Sequence, residues 1–191
     1  MARPKKLPVT LTRAECEALL AQPNPRYPTG LRDICMLRLM LNTGLRAAEC
    51  LNVKVRDIDW LSGKLMVRQG KGAKDRTLWV NEDVLEWLRK WRERRPAPAS
   101  EWLFTTLTGK PVDSRALRAM VRRRADKVGL QAKAVHPHTL RHTFATEMYR
   151  QTKDIRGLQK MLGHEHLPTT MIYTHIVDDE VENAMRGFRI G

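Results

Sequence analysis

The sequence predicts a single, mainly helical domain carrying one small antiparallel β-sheet. Apolar residues recur at helical spacing through most of its 191 residues. Short β-rich runs cluster in one region and flank a glycine-rich turn. A hydrophobic share of 42% and a charged share of 29% suit a globular chain long enough to bury a core.

Thr12-Arg-Ala-Glu15 has capping-box form and opens a first helix to about Leu20. After Pro23, Pro25 and Pro28, a second helix runs from Thr29 to Asn42. Its apolar residues Leu31, Ile34, Cys35, Leu37, Met40 and Leu41 spread round the wheel, which suits a central, buried helix. Gly44 ends it, and a short helix through Glu49 follows. Strands are expected at Asp57–Trp60, Lys64–Arg68 and Arg76–Val80, with residues 69–75 as a hairpin turn. Asn81 caps a helix bearing Val84, Trp87, Leu88 and Trp91, and Pro96–Ser100 is a loop. From Ser114 to Val128 another helix carries Leu117, Met120, Val121 and Val128 on one side and Arg115, Arg118 and Arg122 on the other. Helices at Thr139–Arg150, Asp154–Leu162 and Thr169–Thr174 complete residues 11–177. A basic lead-in precedes them at 1–10. The 178–191 tail carries a modest stripe of Val181, Ala184, Met185 and Phe188.

Thirty-five Lys and Arg against 21 Asp and Glu give a formal charge of +14. Such an excess favours a polyanion, because neutralised phosphates release counterions. No apolar run approaches the roughly 20 residues of a membrane helix, and no apolar stretch follows the basic start. Cys16, Cys35 and Cys50 suggest no disulfide scheme and read as thiols in a reducing, cytoplasmic compartment.

Phosphoryl transfer without a metal needs a nucleophile, cations on the non-bridging oxygens and an acid for the leaving oxygen. Candidates for each role are present. Arg46 follows a glycine break, with Glu49 one turn on to hold its guanidinium. Lys71 stands between glycines at the hairpin turn, a setting unlike a P-loop. His138 and Arg141 share a helix face near a helix N-terminus, where an anion is favoured. Gly163 caps a helix and positions His164, and Tyr173 lies nine residues beyond. Taken singly, these read as a surface ion pair, a solvated turn lysine and a core tyrosine. A zinc site is a rival, since His138 and His142 have i, i+4 spacing and His164 and His166 add ligands. Against it, no His-Glu-x-x-His pattern occurs and cations crowd the same motifs.

In their order, the blocks Thr43-Gly-Leu-Arg46, Gly70-Lys71-Gly72, His138-Thr-Leu-Arg141-His142, Leu162-Gly163-His164 and Ile172-Tyr173-Thr174-His175 resemble the catalytic domain of the tyrosine recombinase (phage integrase) family. The resemblance implies the fold of these DNA breaking–rejoining enzymes over nearly the whole chain. It implies that Arg46 and Arg141 clamp the scissile phosphate with His138 and His164 beside it. Lys71 would protonate the leaving 5′-oxygen, and Tyr173 would attack to form a 3′-phosphotyrosyl link. His138 is expected to assist proton transfer at Tyr173, and His164 to hydrogen-bond the phosphate. The expected partner is double-stranded DNA, held by Lys74, Arg76, Arg115, Arg118 and Arg122, with no cofactor or metal. A homotetramer exchanging tails on DNA is implied, with accessory DNA-bending proteins as possible partners.

Members of the family usually carry a separate N-terminal helical domain, whereas only residues 1–10 precede the first helix here. The chain reads either as a short recombinase, like those of fimbrial inversion switches, or as a fragment. Integration, excision, inversion and resolution all remain open. So do a non-catalytic DNA-binding protein on the same scaffold and a relaxing enzyme of type IB topoisomerase character.

Overall fold

A computed structural model of the chain describes residues 8–68, 75–96, 100–164, 166–167, 169–174 and 186. Lys71, Lys74, His175 and the tail read from Asp178 to Phe188, Arg186 apart, lie outside the described residues.

Helix α1 (Arg13–Ala21) starts with the expected capping box: the Thr12 hydroxyl accepts from the Glu15 N–H, and the Glu15 carboxylate accepts from the Thr12 N–H. Helix α2 (Pro28–Thr43) is buried round much of its circumference, at Leu31, Ile34, Cys35, Met36, Leu37, Leu39 and Met40. The main core forms around it. A short α3 (Ala47–Leu51) follows Gly44.

Asp57–Trp60 is not the strand the sequence suggests. Val55–Asp57 forms a 3₁₀ turn, and Ile58 alone makes an isolated bridge, to Leu65. The two aspartates help turn the chain, because each carboxylate binds nearby main-chain N–H groups. Asp57 accepts from the Lys54 N–H, and Asp59 accepts from the N–H groups of Leu61 and Ser62. The sheet is therefore a two-stranded hairpin, β1 (Lys64–Val67) against β2 (Arg76–Trp79), in antiparallel register with Lys64 opposite Trp79 and Val67 opposite Arg76.

Helix α4 (Glu82–Arg94) is capped by Asn81, whose side chain accepts from the Val84 N–H at 3.0 Å. Helix α5 (Ser114–Asp126) starts where the sequence places it and is capped by Asp113, whose side chain accepts from the Ala116 N–H. It stops before Val128, where the chain turns through Gly129 at φ +79°. A buried ion pair, Asp33 with Arg124 at 2.9 Å, ties it to α2. Helices α6 (Pro137–Thr152) and α7 (Ile155–Leu162) follow, and residues 169–174 are helical. Phe144, Ala145, Leu158, Leu162 and Tyr173 form a second, smaller apolar cluster between these last elements.

Gly44 governs how closely α6 approaches α2. It caps α2 at φ +64°, and a Cβ there would lie 2.3 Å from Cδ1 of Phe144. Gly44→Ala should thus combine left-handed strain with overpacking and cost about 2–4 kcal/mol of stability. Urea denaturation measures this; a loss below about 1 kcal/mol would show that Phe144 moves aside freely.

Candidate active site

Helix α7 ends in a left-handed Gly163, leaving its last carbonyls facing away from the helix. Three guanidinium groups from distant parts of the chain meet these carbonyls. Arg76 Nε donates to Met161 O at 2.8 Å, Arg141 Nη2 to Leu162 O at 2.8 Å, and Arg46 Nη2 to Gly163 O at 3.2 Å. The partial negative charge of a helix C-terminus suits such cations.

One carboxylate organises them. Glu49 accepts from the Arg46 main-chain N–H and from Arg46 Nη1, both at 2.8 Å. It also takes a two-pronged pair from Arg76, Nη1 and Nη2, each at 2.9 Å. Arg141 Nη1 lies 3.9 Å from Glu49 and donates to Gly44 O at 2.7 Å. Burial alone would raise the Glu49 carboxyl, but the Arg76 and Arg46 hydrogen bonds override it and hold the group down to about 2. The Arg141 side chain is only 5% exposed. Its desolvation, with Arg46 alongside, brings it down to about 10.

His164 completes the frame. Its Nε2 lies 2.9 Å from Arg141 Nη2, and its Nδ1 lies 2.9 Å from the Thr170 hydroxyl. Arginine can only donate, so Nε2 is the bare nitrogen and Nδ1–H donates to Thr170. Burial, with Arg141 and Arg46 nearby, pushes this imidazole to about 4 and keeps it neutral. In this arrangement His164 fixes Arg141, and its Nε2 carries no proton to offer a phosphate.

Tyr173 is 1% exposed, packed in the second apolar cluster. Its hydroxyl is 2.9 Å from Nδ1 of His142. Burial raises the phenol to about 12, outweighing the pull of Arg141 and Arg46. His142 is pushed down to about 4, by desolvation first and then by its neighbours His138 and Arg141. The imidazole on the nucleophile candidate is thus that of His142, whereas the sequence points to His138. His138 is exposed on the first turn of α6 and lowered by partial desolvation, then by His136 and Arg141. In the sequence, His142 is marked by its i, i+4 relation to His138 and by its place in the block His138-Thr-Leu-Arg141-His142, neither of which assigns it a role. Nothing in the local sequence links it to a residue 31 positions away. Among the described residues, no three His, Cys, Asp or Glu side chains gather as a metal-ligand set.

Arg46, Arg141 and His164 therefore meet directly, with Tyr173 nearby and His138 at the rim. Arg115, Arg118 and Arg122 stand exposed on α5. Arg76, expected among the DNA contacts, lies inside the frame, paired to Glu49.

Such a fold, with arginines and a histidine grouped around a helix end beside a buried tyrosine, defines a helical domain with one cation-rich site. Residues 9–180 match the phage integrase family, and the chain belongs to it. The tyrosine recombinase XerD of Xanthomonas axonopodis pv. citri is 38% identical over 190 residues, covering 94% of this chain and 62% of the relative. The crystal structure of XerA recombinase superposes with a TM-score of 0.82 at 32% identity, over 98% of this chain and 68% of that one. The XerH recombinase bound to a palindromic difH substrate, a post-cleavage complex, gives a TM-score of 0.81 at 30% identity, over 94% of this chain and 53% of that one. The chain spans about three fifths of the length of the curated XerD relatives it matches.

The depressed Glu49 carboxyl makes stability depend on pH. Its folded value of about 2 lies below the ordinary 4.5, so its contribution is present above 4.5 and fades as pH falls towards 2. That contribution is on the order of 3 kcal/mol. Glu49→Gln should be much less stable than the parent at pH 7, with the gap narrowing as acid is added. Paired melts across this range would show it; a gap independent of pH would mean the charge on Glu49 is not what stabilises the frame.

Proposed function

We propose that this chain is the catalytic part of a site-specific DNA recombinase that breaks and rejoins strands through Tyr173. The carrying observation is the convergence of Arg46, Arg141 and His164 on one helix end, with the Tyr173 hydroxyl held by His142 beside them.

The chemistry follows from these groups. The Tyr173 oxygen attacks the scissile phosphorus, the bond from phosphorus to the 5′-oxygen breaks, and a 3′-phosphotyrosyl ester forms. The tyrosine proton passes to His142, which is neutral and, as the Nε2–H tautomer, can accept it at Nδ1. The leaving 5′-oxygen takes a proton from Lys71. Arg46 and Arg141 neutralise charge that builds on the non-bridging oxygens. Rejoining reverses the steps. The ester conserves the energy of the broken bond, so no nucleotide cofactor is consumed.

The buried hydroxyl sets one requirement. Tyr173 is 1% exposed, so residues 169–174 must shift to bring it to a phosphate. They pack on the small cluster and not on the main core, which allows that shift without opening the domain. Double-stranded DNA would lie along α5, on Arg115, Arg118 and Arg122, leading to His138 at the rim. Arg118 is close enough to depress His138, which supports this path. Assembly as a homotetramer through the tail belongs to the same reading.

Tyr173→Phe removes one oxygen and little volume. Fold and DNA binding should persist, while covalent capture of a nicked duplex on a denaturing gel disappears. An adduct that survives in the Phe variant, or that peptide mapping assigns to Tyr27 or Tyr149, would overturn the assignment.

A further inference from the structure

Arg76 opens β2, shortly after Lys71 and Lys74 in the sequence, and its sequence position suggests a phosphate contact. Its surroundings argue otherwise. The side chain is 10% exposed, against 38% for Arg46. Nη1 and Nη2 are committed to the two oxygens of Glu49, and Nε to Met161 O. A lysine at the same point could reach one of these acceptors but not all three in one plane.

Glu49 needs this partner. Its Oε1 accepts from Arg46 Nη1 and Arg76 Nη1, and its Oε2 from the Arg46 N–H and Arg76 Nη2. Without Arg76 the carboxylate would lose half of these bonds while remaining buried. It would then turn its unsatisfied charge on Arg46 and on Arg141, whose Nη1 is already 3.9 Å away. Those are the two guanidiniums that a phosphate must win. We infer that Arg76 is a positioning residue: it makes no contact with DNA, but occupies Glu49 and pins the end of α7, leaving Arg46 and Arg141 free to engage the scissile phosphate. This rests on the reading of the site as a phosphoryl-transfer centre.

The test uses two variants: Glu49→Gln/Arg76→Gln, which removes the Arg76 charge without leaving either charge buried alone, and Arg76→Lys, which keeps the charge and loses the planar fork. The double variant is read by the salt dependence of its binding to a duplex. Arg76→Lys is read by covalent capture on nicked duplexes carrying either an ordinary phosphodiester or a neutral methylphosphonate at the scissile position. If Arg76 neutralised a phosphate, removing its charge would lower the slope of log affinity against log salt by about 0.9. The slope should instead match the parent, while Arg118→Ala shows the drop. Capture on the phosphodiester should fall about 100-fold, the scale of a misplaced catalytic group. On the methylphosphonate the fall should be about tenfold or less, because less charge has to be met. A slope reduced by about 0.9 would overturn the proposal by making Arg76 a DNA contact. Equal losses on both substrates would overturn it by making Arg76 merely structural. Should Arg76→Lys fail to fold, the salt slope of the double variant still decides whether Arg76 is a DNA contact. If the parent chain captures neither substrate, the recombinase reading fails, and the salt slope still decides whether Arg76 touches DNA.

Discussion

Three consecutive carbonyls at the end of α7 each receive a guanidinium N–H, from Arg76, Arg141 and Arg46 in turn. A helix terminus cannot satisfy these oxygens itself, and its dipole leaves partial negative charge there. Cations drawn from the start of α3, from β2 and from α6 supply what is missing. One carboxylate, Glu49, spaces two of them directly. Most of what the site can do depends on this meeting. Three like charges held close together, two of them largely desolvated, exceed the negative charge present. An anion entering the site meets an electrostatic deficit already built in. Buried charges of this kind contribute little net stability compared with apolar packing; their value lies in fixing geometry.

The tyrosine is held under different rules. Its ring belongs to the small cluster of Phe144, Ala145, Leu158 and Leu162, and its hydroxyl rests on a neutral imidazole. In the resting arrangement the phenol is pushed up to about 12 and is a poor nucleophile. His164 links the two halves of the site. It accepts from Arg141 on one side and donates on the other to Thr170, within the same short helical segment as Tyr173. One imidazole thus ties the Arg141 guanidinium to the segment that carries Tyr173.

Much of the fold was legible because local rules and tertiary packing agreed. Thr12 with Glu15, Asn81, Asp154 and Gly44 mark helix ends that the structure retains. The circumferential apolar pattern of α2 corresponds to its central place in the core. Reading failed where a short polar side chain redirected the backbone. Asp57 and Asp59 turned an expected strand into turns. These are contests between side-chain and main-chain hydrogen bonds, decided by geometry that residue type does not reveal.

The order and spacing of Arg46, His138, Arg141, His164 and Tyr173 by themselves placed the chain in its family, because nearly all the groups for one chemistry occur at recognisable local signals. Glycine breaks, a helix N-terminus and a capped helix end were enough for that. Only the tertiary structure decided which partner each group has. Arg76 looked like a surface cation until Glu49, 27 residues away, claimed it, and His142 had no assigned role until the Tyr173 hydroxyl came to rest on it. Charge and hydrogen bonding act through space, so a residue's type and position specify what it can offer. What it does depends on which distant acceptor the fold brings within about 3 Å.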